Sequence, residues 1–506
     1  MPVGESLTLE DVVAVAGGAE VALSSGAARR IQAARAVVEA AVAAGRTVYG
    51  VTTGFGSLAN VRIPPAQADV LQRRIVRSHA TAVGPALSHA EARAMLLLRA
   101  HVLALGHSGV RVQIVERMVD MLNRDLVPVV PEQGSLGASG DLAPLACLAL
   151  PLIGGGELLV HGQPIPAARA LADAGLEPLS LSAKEGLALV NGTQGMLAVG
   201  ILAAMRLARL ARVADVAAAM TIEAALGTDR PFDERLHALR PHAGQAASAS
   251  NLRRLLAGSA IASSHRESDH LVQDAYSLRC APQVHGATRE VLRFAGGVLE
   301  VEVGSVSDNP IVLPETEEIL SGGNFHGQPV AVALDALAAA TVPLASISER
   351  RLFRLLAADR NNGLPAFLVP ESGLNSGFML LQYTAASLVS ECKALAHPAS
   401  VDSIPSSAGQ EDHVSMGMTA ARHAREVGAN AEVVLALEVL AAAQALDLRG
   451  PLEPAPGTAA AHDAVRTVVP FLSEDRELGP DIAAATDLVR TGTLLTAVEA
   501  VIGALD

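Results

Sequence analysis

Residues 88–106 read "SHAEARAMLLLRAHVLALG" and set the expectation for the whole chain. Ser88 followed three positions later by Glu91 is a capping box, in which the hydroxyl and the carboxylate each satisfy a backbone N–H that a starting helix leaves free. Gly106 is placed to stop the helix that follows. Working outward, segments around 196–226, 331–356, 377–396, 417–447 and 481–504 are rich in Ala and Leu with polar residues at helical intervals, and several exceed the average globular helix. Long helices side by side predict a bundle, so the fold class is mainly α. "GELLVHGQPIPA" near 156–167 alternates briefly around His161-Gly162 and predicts a small hairpin, the clearest strand signal in the chain.

Composition agrees. The 506 residues are half hydrophobic, yet only 2% are aromatic and none is Trp, so the core must be filled by aliphatic side chains and alanine. Such a core favours close-packed helices. The formal net charge of −14 argues against a nucleic-acid partner, because phosphate tracking needs clustered cations. A small-molecule or protein partner is expected instead. Cys147, Cys280 and Cys392 are odd in number and lack ligand spacing, which predicts buried free thiols, no metal site and a reducing cytoplasm. The N-terminus lacks the basic and apolar regions of a secretion signal. The apolar run from Leu187 to Met205 is interrupted by "NGTQG", which fits a buried helix better than a membrane span.

Pro and Gly gather in "VPVVPEQGSLGASGDLAP", "GSVSDNPIVLPE" and "HPASVDSIPSSAGQEDH", polar islands between helical stretches. Loops of that kind on a rigid scaffold carry function. "LEPAPGT", from Leu452, is the one linker-like break late in the chain. The tripeptide Ala138-Ser139-Gly140 has two readings. It is a tight turn beside a helix, or a piece of backbone compressed enough to react. In the second case the Gly140 nitrogen attacks the Ala138 carbonyl carbon, unhindered by a Cβ. Loss of water from that ring and of the Ser139 hydroxyl then leaves an electrophilic methylene.

"GSLGASGDLAPLA" resembles the cofactor-forming motif of the aromatic amino acid ammonia-lyases, which carry 4-methylideneimidazol-5-one (MIO). "VYGVTTGFGSLA" at 48–59, "LALVNGTQG" at 187–195, "VQDAYSLRCAPQVHGA" at 272–287, "SVSDNPIV" at 305–312, "GGNFHGQPVA" at 322–331 and "HPASVDSIPSSAGQEDHVSMG" at 397–417 resemble the same family in the same order. The resemblance implies a long-helix bundle with a fumarase/aspartase-like superhelical core. It also implies a smaller N-terminal region, 1–200, that bears the MIO loop and few short strands, with 201–506 forming the oligomer core. The expected activity is that of a carbon–nitrogen lyase using MIO from Ala138, Ser139 and Gly140, with no metal or nucleotide. Tyr49 would remove a β-proton, Tyr276 would assist near the departing amine, and Asn191 would donate to oxygen on the MIO ring. Only three tyrosines exist, and two of them, Tyr49 and Tyr276, fall in these motifs. Arg279, one helical turn beyond Tyr276, would hold the substrate carboxylate bidentately. Gln273 would be a polar neighbour and Phe325 an aromatic near the ring. A homotetramer with sites shared between subunits is the assembly implied.

The substrate is read from "RSHATAVG". Phenylalanine-selective members of the family resemble a Phe-Leu pair there and tyrosine-selective members a His-Leu pair, whereas Ser78-His79 is similar to the histidine-acting members. His79 can hydrogen-bond an imidazole, and a benzyl group would leave it unpaired. Glu411 in "GQEDHVSMG" can accept an imidazole N–H, or act as a base. Urocanate and ammonia are then the products. The alternatives are a tyrosine or phenylalanine ammonia-lyase, an aminomutase, a fumarase-like lyase without MIO, and a non-catalytic helical scaffold. One departure stands out: Gly304 occupies a position where the family often has Asn, which puts one local hydrogen bond in doubt.

Overall fold

The computed structural model describes residues 1–267 and 272–506, and 60% of the chain is helical. The chain forms two compact units, each built from three stretches of sequence. The first comprises Met1–Ala203, Ala295–Asp335 and Pro398–Arg422, and the second Ala204–Phe294, Ala336–His397 and His423–Asp506. The contiguous division at residue 200 leaves 295–335 and 398–422 with the later half, whereas their contacts lie with the first unit.

In the first unit the helix His89–Ala104 forms with its capping box, Ser88 and Glu91 bonding reciprocally. Every residue from Glu91 to Ala104 is buried, and the helices Leu9–Ala16, Ser25–Ala43 and Val112–Asn123 pack around it. Its two interior arginines must find acceptors, since a buried guanidinium has five donors to satisfy. Arg93 bonds the carbonyls of Val15 and Leu122 at 3.0 Å each and the Asp125 carboxylate at 2.7 Å. Arg99 bonds the carbonyls of Asn191 and Ala188 and the amide oxygen of Gln194. Three further helices, Ala68–His79, Leu142–Ala149 and Glu185–Val190, pack on one another. Their ends bring in His79, the residues just after Gly140, and Asn191.

The predicted hairpin is present as antiparallel strands Glu157–Val160 and Gln163–Pro166, turning at His161 and Gly162 in the left-handed region. Strands of two to four residues at Pro2–Val3 with Ala22–Leu23, Val83–Ala86 with Pro131–Gln133, and Ile311–Leu313 with Glu318–Leu320 have no comparable alternation in sequence.

The long helices are Gln194–Ala224, Ala281–Val303, Gln328–Leu356 and Gly417–Asp447. Gln328–Leu356 and Gly417–Asp447 have the length and apolarity of a membrane span, yet 61% and 83% of their most apolar windows are buried in the protein. The predicted helix over 481–504 is two helices, Gly479–Thr491 and Thr493–Ile502, because Gly492 adopts φ +82° and ends the first. "LEPAPGT" leads into the helix Pro456–Arg466 inside the second unit. That unit's core holds ions in matched sets. Asp215 accepts from Ser248, Asn251, His285 and Arg289, and Arg351 bonds Glu438 with both ends of its fork. Buried charge is tolerated only when partnered in this way. The three cysteines are free, but only Cys392 is fully buried; Cys147 and Cys280 are partly exposed.

Candidate active site

Ala138-Ser139-Gly140 lies between the strand Pro131–Gln133 and the helix Leu142–Ala149, and it is fastened on both sides. Upstream, the Met416 N–H bonds the Leu136 carbonyl at 2.8 Å and the Ser415 hydroxyl bonds the Gly137 carbonyl at 3.0 Å. Downstream, the Asp141 N–H bonds the Gly192 carbonyl at 2.7 Å, and Gly140 and Gly192 form a parallel bridge. Gly140 sits at φ +71°, and a Cβ there would collide with the Gly192 carbonyl. Only glycine satisfies both the left-handed backbone and that approach.

Asp141, which the sequence reading did not single out, is the anchor. Its carboxylate is wholly buried, accepting from the Ser135 hydroxyl and the Met196 N–H, each at 2.7 Å. Burial raises its pKa to about 6, against the pull of those donors. The available signal was an acid directly after the tripeptide and at the opening of an apolar helix.

Ser139, Ala138, Tyr49, Phe325 and Glu411 line one cavity of about 430 Å³, all within the first unit. The Ser139 hydroxyl donates to Glu411 Oε1 at 3.3 Å. The phenol oxygen of Tyr49 accepts the Gly56 N–H at 2.9 Å. At the cavity wall His326 and His413 stack with centroids 6.0 Å apart. The Gln328 N–H faces His326 Nδ1 at 3.3 Å, so the ring proton sits on Nε2, which reaches the His413 carbonyl at 3.2 Å. Neither histidine was foreseen as part of the site.

Two predicted residues stand just behind this lining. Asn191 ends the helix Glu185–Val190; its Nδ2 donates to the Asn309 carbonyl at 3.1 Å, and its buried Oδ1 has no partner among the described residues. His79 ends the helix Ala68–His79, packed against the Phe55 ring at 5.2 Å and bonded to the Ser78 hydroxyl at 3.0 Å. Burial pushes its pKa down, opposed by an acceptor on Ile75 and by the charge of Glu411.

Gln273, Tyr276 and Arg279 are not in this cavity. Tyr276 and Arg279 are the ends of a four-residue helix, with the guanidinium 4.7 Å from the phenol ring centre, so the shared face expected from their spacing is present. Arg279 also donates from Nε to the Asp274 carbonyl at 3.0 Å, and the Tyr276 side chain is 72% exposed. Gln273 and Arg279 line a separate cavity of about 450 Å³ in the second unit. Gly304 lies just past the helix Ala281–Val303, where an added Cβ would meet nothing nearer than the Val301 carbonyl at 3.9 Å. Among the described residues no group of three or more His, Cys, Asp or Glu side chains is arranged to hold a metal ion.

The family model for aromatic amino acid lyases matches residues 7–467. A histidine ammonia-lyase of Anaeromyxobacter sp. (strain K) is 57% identical over 500 residues, covering 97% of this chain and 98% of that one. The crystal structure of histidine ammonia-lyase from Trypanosoma cruzi superposes with a TM-score of 0.92 at 44% identity, over 99% of this chain and 95% of that one. The tyrosine aminomutase of Streptomyces globisporus superposes at 0.94 with 40% identity, over 99% of both chains. These neighbours share the helical, fumarase-like fold. The chain belongs to the aromatic amino acid lyase family.

Proposed function

We propose that the protein converts L-histidine to trans-urocanate and ammonia, with an MIO group formed from Ala138, Ser139 and Gly140. The observation that carries this reading is the convergence of Ser139, Tyr49 and Glu411 on one cavity, with His79 in electrostatic reach of that carboxylate. Family members are MIO-dependent, and the residues present fit the group. Gly140 has the bare backbone that ring closure requires, and Asn191 Nδ2, with one hydrogen on the Asn309 carbonyl, has a second to donate. Ala138, Ser139 and Gly140 would supply its atoms and Asn191 would donate to it. When present, MIO supplies an electrophile that activates the substrate amine for departure.

The chain's own residues account for the rest. With Tyr49 as phenolate, the Cβ–H proton goes to its oxygen to give the phenol, the C–H electron pair becomes the new double bond, and the Cα–N bond breaks with its pair leaving on nitrogen. The Gly56 N–H aimed at the phenol oxygen stabilises negative charge there. His79, whose neutral form burial favours, is engaged at Nδ1 by the Ser78 hydroxyl and has Nε2 left for a substrate imidazole. Glu411 offers the complementary acceptor. Arg279 binds the α-carboxylate, with Gln273 and Tyr276 beside it, and these three come from another subunit of a homotetramer. The 72% exposure of Tyr276 and the 99% exposure of Val272 support a partner surface at this segment.

The test is near-ultraviolet absorbance of the purified enzyme with L-histidine, L-tyrosine and L-phenylalanine in turn. Urocanate from histidine alone is expected. Coumarate, cinnamate or a β-amino acid as the main product overturns the substrate assignment.

A further inference from the structure

Glu411 and Tyr49 belong to stretches that meet through one dipeptide. Residues 406–411 form a tight loop closed by an antiparallel bridge, with the Ser406 N–H on the Glu411 carbonyl at 2.9 Å and the Glu411 N–H on the Ser406 carbonyl at 3.3 Å. Within the loop Ser407 and Ala408 sit at φ +49° and +52°, followed by Gly409 at +85°. Two successive non-glycine residues in the left-handed region are strained, and such strain persists where the surroundings over-determine it. Strain of this kind often marks a functional constraint.

The surroundings here are two hydroxyls, one bonded to the Glu411 carboxylate and the other to the backbone beside the residue that bonds Tyr49. Ser406 Oγ donates to Glu411 Oε2 at 2.5 Å. Ser407 Oγ accepts the Ser57 N–H at 3.2 Å, a bond between residues 350 positions apart. It also lies where a Cβ on Gly56 would fall, 2.6 Å away, so the two loops touch closely only because residue 56 is glycine. The Gly56 N–H is the donor to the Tyr49 oxygen.

We propose that Ser406 and Ser407 are positioning residues that together form a clasp: Ser406 aims the Glu411 carboxylate into the cavity, and Ser407 fixes the 56–57 backbone that orients the Tyr49 phenol. The inference rests on the function proposed above. Among the described residues Glu411 has two side-chain donors, Ser139 on Oε1 and Ser406 on Oε2. Conversion of Ser139 removes its hydroxyl as water, and Ser406 is then the donor that still orients the carboxylate.

The experiment compares full-length Ser406→Ala, Ser407→Ala and Ser406→Thr with the parent enzyme. Each alanine variant is expected to lower kcat about tenfold, the scale of one lost hydrogen bond, with KM for L-histidine moving less than about twofold. Ser406→Thr keeps the hydroxyl and recovers most of kcat. With β-deuterated L-histidine, Ser407→Ala raises the isotope effect on kcat, because a misaligned phenol makes proton removal slower relative to the other steps. A role confined to folding lowers the melting temperature and moves neither the isotope effect nor the kcat-to-KM split, and that result overturns the proposal. So does a kcat within about twofold of the parent in both alanine variants. A parent enzyme that releases no urocanate refutes the function instead, which keeps the two failures distinct.

Discussion

The loop at 138–140 and the segment at 273–279 are both assigned to one reaction, yet they are built in opposite ways. The first is sunk among Asp141, Gly192 and Ser415, with each flanking residue bonded to a distant part of the first unit. The second rides on a single helical turn, its tyrosine largely in solvent and its arginine holding, among the described residues, a neighbouring carbonyl and the tyrosine ring. The difference teaches what each must do. A backbone that reacts with itself has to be compressed by its own fold, whereas side chains that grip a substrate can be delivered by a neighbouring subunit.

Breaking the first region has the largest expected effect. Ser139→Ala should lower kcat/KM for L-histidine by at least about three orders of magnitude, the scale of losing a main electrophilic centre, while the oligomer stays folded. Steady-state kinetics beside size-exclusion chromatography checks both halves. Mixing subunits sharpens the comparison further: co-refolded Ser139→Ala and Tyr276→Phe chains, each inactive alone, should regain activity if the regions serve one centre from different subunits. No recovery would place both regions' work within a single chain. Arg279→Lys should raise KM by roughly tenfold to a hundredfold, since an ammonium cannot reproduce the bidentate grip. Its melting temperature should not change.

The two regions also read differently on the page of sequence. The helix at 88–106 was legible because a capping box is local chemistry, and the pairing of Tyr276 with Arg279 followed from helical spacing alone. Tyr49, Ser139, Phe325 and Glu411 were named through motif resemblance, and they share one cavity. Asp141, by contrast, looks like an ordinary helix-opening acid until Ser135 and Met196 close over it. Ser406 and Ser407 look like loop residues, because their partners at 57 and 411 are fixed by tertiary packing. The break at Gly492 was hidden for a related reason: a lone glycine inside an Ala/Leu-rich run is compatible with a continuous helix, and its left-handed conformation appears only in the fold. The return of 295–335 and 398–422 to the first unit likewise has no local signature.

Smaller effects follow from burial. The Asp141 pKa lies near 6 in the folded protein against 3.8 as an ordinary carboxyl, so between those values the native state binds more protons than the unfolded one. Its contribution to stability is full below pH 3.8 and is lost as pH rises through 6, about 3 kcal/mol in all. Asp141→Asn should flatten that slope in denaturant melts taken between pH 4 and 7. An unchanged slope would mean the carboxyl is better solvated than its burial implies. The smallest effect belongs to Gly304→Asn, which should stay within about 0.5 kcal/mol of the parent in the same melts, because open space surrounds that Cβ position.

The central claim is that Ala138-Ser139-Gly140 reacts with itself inside a prebuilt clamp. The intact mass of the purified protein, followed by mass mapping of the peptide that holds these residues, tests it most directly. The account predicts a deficit of two waters confined to residues 138–140. An active enzyme whose tripeptide carries its full, unmodified mass would contradict it.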